Sequence, residues 1–238
     1  MELAVTFLFT LIGATVFTFA FRNLIKRHPL VFYGLAVLFD VVFFARSVFP
    51  LPALIDRTFL ALMQRCLLAE AFFVIVMYVG VFSERSRVRS YLAPIRAELS
   101  IIACYLALGH VVAYLGSFGA HVLANGAAYS MNLVVSFCIS LVLLALLVLL
   151  GVTSFTRLKR RLATRTWKRI QLLAYPFFAL TYIHMLLFLL PAALQGAVAS
   201  SISVICYSVV FVFYAVARIG AAMRRRRSAP VFLRKALP

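Results

Sequence analysis

Apolar residues run along this chain in long unbroken blocks separated by short polar gaps. Neither the strict alternation of a half-buried strand nor the one-face stripe of a soluble helix organises them. A helix needs about 20 apolar residues to cross a hydrocarbon core. Seven blocks approach or reach that length: Leu3–Phe21, Leu30–Ala45, Phe59–Phe82, Leu99–Phe118, Met131–Val152, Gln171–Leu190 and Ser200–Ala217. The second is the shortest. The pattern predicts an all-α, polytopic membrane helix bundle of about seven transmembrane helices. No cleavable signal peptide is expected, because Met1 and Glu2 lack a positive n-region and the first block is long enough to span. Pro176 is placed to kink the sixth block, and no matching interruption is evident in another.

Composition agrees: of 238 residues, 65% are hydrophobic and 13% charged, too apolar for a water-soluble core of this size. The formal net charge of +18 would suit a nucleic-acid partner were the charge spread over a surface, but the basic residues cluster between blocks. Arg22, Lys26 and Arg27 follow the first block; Arg85, Arg87, Arg89 and Arg96 the third; the run from Arg157 to Arg169 the fifth; Arg224 to Arg227, Arg234 and Lys235 the seventh. The intervening connections carry almost no charge, Arg46, Asp56 and Arg57 excepted. By the positive-inside rule this predicts an outside N-terminus, a cytoplasmic C-terminus and a multi-pass protein of a cell membrane, bacterial inner or plasma. The expected partner is the lipid bilayer, not nucleic acid. Residues 1–223 read as a single transmembrane domain and 224–238 as a basic cytoplasmic tail suited to orientation and anionic lipid.

Two ionisable side chains lie deep in apolar blocks, His110 and His184, and residues of that kind inside a membrane are costly and usually functional. His110 is twelve residues past Glu98, about 18 Å along a helix, and His184 fifteen past Arg169, about 22 Å. Both fall just beyond the midplane on the expected outer side. Two imidazoles at one depth on separate helices can approach a heme iron from opposite faces, a ligation that favours electron transfer over oxygen binding. The plainer alternative is that each histidine hydrogen-bonds across a helix interface. Arg65 has a similar depth and suits a heme propionate or an ion pair with Glu70 or Asp40. Glu70 could pass protons or contact a quinone. His121 is too far along its helix to share an iron with His110, and His28 reads as a solvated residue. Cys66, Cys104, Cys138 and Cys206 fall in four different blocks, without metal-ligand spacing, and read as packing residues.

The segments RAELSIIACYLALGHVVAYL and RLATRTWKRIQLLAYPFFALTYIHML resemble the ferric-reductase-like transmembrane superfamily, most closely the heme-binding membrane subunit of the periplasmic methionine sulfoxide reductase system. Members share an arginine-containing entry into a helix with one mid-helix histidine, matched here by His110. After a short basic loop they carry a tryptophan, a basic residue and a histidine, then a second histidine thirteen residues on; Trp167, Arg169 and His184 match, and Gln171 occupies the first histidine position. The resemblance implies a heme-binding core at about 58–190. Two-heme relatives hold an inner heme through histidines near the inner helix ends, where this chain offers only residues 96–100 and Gln171. It therefore implies one outer heme b on His110 and His184, with the inner site empty or holding FMN or a quinone.

The function expected is that of a b-type cytochrome, the electron-transfer membrane subunit of an oxidoreductase. Its donor would be a cytoplasmic flavin reductase or a membrane quinol, and its acceptor an extracytoplasmic reductase, a flavoprotein or ferric iron. The basic loop ending near Trp167 and Arg169 could receive a flavin phosphate or an acidic flavoprotein, or could simply obey the charge rule of topology. No GxGxxG fingerprint is present. The competing expectation is a non-redox transporter, for which paired broken helices would be the sign, or a scaffolding subunit whose histidines only pack.

Overall fold

The computed structural model describes residues 2–46, 48–49, 51–125 and 130–228. All regular structure among them is helical. The helices are α1 (Glu2–Arg27), α2 (Pro29–Ala45), α3 (Ala53–Gln64), α4 (Leu67–Val79), α5 (Arg87–Leu92), α6 (Arg96–Tyr114), α7 (Ala120–Asn125), α8 (Met131–Ser154), α9 (Thr156–Arg161), α10 (Thr164–Leu172), α11 (Ala174–Leu194) and α12 (Val198–Ser228). A 3-10 turn, Ala93–Ile95, leads into α6, and a π turn, Leu115–Gly119, joins α6 to α7.

Five helical stretches are long and apolar enough to cross a membrane: Leu3–Arg27, Arg87–Gly119, Met131–Ser154, Thr164–Leu194 and Val198–Arg224. The bent pair α3 and α4 makes a sixth if it counts as one span, and α2 is shorter at 17 residues. Their surface is that of a multi-pass membrane protein. Phe9 (70% exposed), Leu30 (78%) and Leu194 (79%) turn outward with many other large apolar side chains, an arrangement that water would penalise and lipid does not.

The bundle is organised around α4, eleven of whose thirteen residues are buried. It packs on α6 and α1, while α2 and α8 flank α6, and α11 bridges α8 and α12. Between helices in lipid there is little hydrophobic drive, so small residues that let backbones approach do much of the work. Ala69 and Ala71 on α4, Ala103 and Ala107 on α6 and Ala36 on α2 are all buried. At Gly151 of α8 an added Cβ would come within 3.1 Å of the Cys104 sulfur on α6. The closest approach is at Gly109 of α6, where a Cβ would collide with the Asp40 carboxylate of α2.

One expectation needs correction. The block Phe59–Phe82 is not one rod: α3 ends at Gln64, Cys66 takes a left-handed conformation (φ 59°), and α4 leaves at 49° to α3. A non-glycine residue in that region costs about 1–2 kcal/mol. The chain meets it without Gly or Pro, which is why residue type gave no warning. This break is also the helix interruption the sequence did not reveal. The sixth block is interrupted at Leu173, and Pro176 stands just after it, in the first turn of α11. Lacking an N–H, it cannot donate to the carbonyl four residues back, so the irregularity falls at the helix start. The last helix, α12, runs on through residue 223 to Ser228; residues 229–238 of the tail lie outside the described residues.

Gly109→Ala should lower the thermal stability of the detergent-solubilised protein by about 1–3 kcal/mol, the usual cost of overpacking. Gly34→Ala, where a Cβ meets nothing within 4 Å, should be neutral or raise stability by about 0.5–1 kcal/mol. Thermal unfolding of the two variants side by side checks both.

Candidate functional site

The break between α3 and α4 leaves the Gln64 carbonyl without a partner inside its own helix, as the last turn of any helix does. His110 of α6 fills that vacancy, its Nδ1 lying 2.6 Å from the Gln64 oxygen. A carbonyl only accepts, so Nδ1 must carry the proton, and the lone pair is left on Nε2. His184 of α11 is held in a parallel way by α8. Its Nδ1 is 3.4 Å from the Ser140 hydroxyl, which itself donates to the Ser136 carbonyl at 2.8 Å. Each imidazole is also braced by the ring one turn further along: Tyr114 at 4.7 Å for His110, and Phe188 at 5.1 Å, edge-on, for His184.

Both histidines line one cavity of about 320 Å³ bounded by α4, α6, α8 and α11, within the range of small-molecule and cofactor pockets. They are close enough across it for their charges to interact. The walls are mainly apolar, among them Phe73, Phe137, Leu144, Leu147 and Phe177. The polar groups on its wall are the two histidines, Gln64, Arg65, Glu70, Ser140 and Thr181, with the Cys66 thiol and the hydroxyl-bearing Tyr114 and Tyr207.

Arg65 lies in the break and lines this cavity. The ion pair with Glu70 or Asp40 is not formed. Among the described residues the ion pairs are Arg46–Asp56 and Arg89–Glu84, each at 3.5 Å, so the Arg65 guanidinium remains available to an anion. Glu70 is 5% exposed and its Oε1 has no hydrogen-bond partner among the described residues; the Asp40 Oδ1 is buried and unpartnered too. Glu70, which the sequence offered as a proton carrier or quinone contact, stands on the cavity wall. Ser140 and Gln64 were missed. A serine in an apolar helix and a glutamine before an arginine carry no mark of their role.

The other predicted residues are elsewhere. Trp167 and Gln171 of α10 do not line the cavity. The Trp167 indole donates to the Thr153 carbonyl of α8 at 3.1 Å, and the Gln171 amide to the Thr153 hydroxyl at 3.2 Å. Lys159 of α9 lies 4.4 Å from the centre of the Trp167 ring. These contacts seat α10 on the end of α8. Arg169 follows on the same short helix and is absent from the cavity wall. His121 bonds its own helix at Ser117 O, 3.0 Å away, and is exposed, as is His28 ahead of α2. All four cysteines are free.

As a donor set, the cavity does not suit a bare metal ion: among the described residues no three His, Cys, Asp or Glu side chains are gathered as ligands. Two oriented imidazoles suit a metal whose equatorial ligands come with it, and the apolar walls suit a flat apolar ring. The residues present therefore fit a heme.

Comparison with known proteins adds a relative and no function. The chain is 37% identical over 161 residues to an uncharacterized protein of Treponema pallidum (strain Nichols), an alignment taking in 68% of this chain and 44% of that protein. The chain thus spans less than half the length of that relative. No family profile matches it, and no solved structure does.

Thr153→Val removes the bond to Gln171 while leaving the carbonyl that holds Trp167. Because Trp167 is the single tryptophan of the chain, its fluorescence reports this junction alone. Thr153→Val should increase its quenching by iodide, whereas Ser140→Ala should leave it unchanged.

Proposed function

We propose that this protein is a membrane b-type cytochrome of the ferric-reductase-like kind, with one heme held by His110 and His184. The observation that carries the reading is that both imidazoles have their Nδ1 engaged, one by Gln64 and one by Ser140, and face a shared apolar cavity. That is how proteins prepare histidines for a metal: a bond at one ring nitrogen sets the tautomer and the ring plane and leaves the other nitrogen free.

When bound, a six-coordinate b heme supplies one-electron exchange. The chain's own residues would do the rest. His110 and His184 would hold the iron, Arg65 would neutralise a propionate, and the leucine and phenylalanine walls would exclude water, which favours the less charged state. In this reading α2 and the pair α3–α4 complete seven spans, with the N-terminus outside and the basic end in the cytoplasm, in keeping with where Arg and Lys fall. Electrons would enter from a flavin reductase or a quinol and leave to an extracytoplasmic reductase or flavoprotein. Trp167 and Gln171, engaged with Thr153, then support the entry side by fixing α10 in place.

A second reading has one observation in its favour. Transporters build their sites on discontinuous helices, and α3–α4 is one. The carbonyl freed by that break, however, is occupied by the His110 ring and not held open for an ion.

The dithionite-reduced minus oxidised spectrum of the purified protein should show the sharp bands of a low-spin b heme. His110→Ala and His184→Ala should each abolish them, and His28→Ala should not. Ser140→Ala should retain the bands but bind heme about 10- to 100-fold more weakly, the usual cost of losing a ligand's supporting bond. A wild-type protein without the bands removes the cytochrome reading.

A further inference from the structure

At the basic end of the bundle two guanidinium groups meet over one glycine. Arg218 of α12 donates from Nη1 to the Gly80 carbonyl at 3.3 Å and from Nη2 to the Tyr175 hydroxyl. Arg96, the first residue of α6, has both terminal nitrogens within 3.8 Å of the point a Gly80 Cβ would occupy. Arg89, the next cation along this end, is paired with Glu84 at 3.5 Å. Neither Arg96 nor Arg218 has a carboxylate in reach among the described residues, and no hydrogen bond ties the Arg96 guanidinium there.

Like charges brought together at a membrane boundary repel, and the repulsion grows as water is displaced by protein and lipid. Ordinary interfacial arginines relieve it by spreading into solvent. Here Arg218 is prevented from doing so by its two hydrogen bonds and by the Tyr175 ring 4.9 Å away. Gly80 puts no side chain beside the Arg96 guanidinium. Three tyrosines, Tyr78, Tyr175 and Tyr214, surround it with amphipathic rings of the kind enriched at the headgroup level. Tyr78 is itself fixed by donating to the Val210 carbonyl at 2.6 Å.

We infer that Arg96 and Arg218, converging on Gly80 between α4, α6 and α12, form a binding site for a phosphate group, that of an anionic phospholipid headgroup. Arginine suits this because its planar fork pairs two N–H groups with two phosphate oxygens. Arg96 has its whole fork free, while Arg218 retains donors beyond the two already used. The site is independent of the heme, being at the helix ends and not in the histidine cavity.

The test is native mass spectrometry of the detergent-solubilised, delipidated full chain titrated with phosphatidylglycerol, with parallel arms of phosphatidylcholine, inorganic phosphate and riboflavin phosphate. One phosphatidylglycerol should be retained, phosphatidylcholine should not compete, and Arg96→Gln should weaken retention about fivefold, the effect of one basic residue near a charged headgroup. Arg96→Lys should recover part of it. Arg160→Gln, an exposed basic residue of α9, should behave as wild type. Arg218→Gln also removes the bonds that tie α12 to Gly80 and Tyr175, so Arg96, whose guanidinium holds nothing else, decides the matter. Retention of riboflavin phosphate or inorganic phosphate in place of lipid, lost in Arg96→Gln, would keep the phosphate site and assign it a soluble source. Equal retention by wild type and Arg96→Gln, or retention by neither, overturns the inference.

Discussion

The hydrogen bond from His110 to the Gln64 carbonyl connects nearly everything else in this bundle. Backbone groups inside a membrane must find partners within the protein, and a helix that stops at Gln64 in apolar surroundings exposes carbonyls that nothing in α4 can satisfy. A side chain from α6 supplies the missing donor. One contact therefore allows the chain to turn by 49°, holds α3–α4 against α6, and sets which nitrogen of His110 is free. If the histidine were absent, the break would be left with an unmet acceptor. If the break were absent, the histidine would have no reason to present Nε2 to the cavity.

On the opposite wall the logic is similar but the materials differ. His184 leans on a serine hydroxyl that is itself tied to the backbone of α8, so the ring is set by a longer and softer chain of contacts. The two sides of the cavity are thus unequally stiff. A planar group bound between them would be registered chiefly by His110, with His184 adjusting.

Much of the bundle could be read from the run of apolar residues, because a helix in lipid needs only length and apolarity to declare itself. α1, α6, α8, α11 and α12 fall where the blocks placed them, and the two histidines share a cavity as their matched depths suggested. What escaped was whatever depends on shape and not on polarity. Cys66 adopts a glycine-like conformation without being glycine, and the polar pair Gln64 and Arg65 before it stands inside a block that otherwise reads as continuous. Trp167 and Gln171 stand in the motif, and the contact that both make with one threonine at the end of α8 carries no mark in the sequence. Arg65 lacks the carboxylate that simple charge counting assigned to it, since Glu70 is buried one turn further on and unpartnered.

The approach of Asp40 to Gly109 has a consequence for the history of the sequence. The two residues come from different helices and are sixty-nine positions apart, but they share a single volume that only one of them can fill. Neither can drift alone. A descendant that acquires a side chain at 109 has to shorten the one at 40, so the pair should covary as a unit, handing space from one helix to the other beside His110.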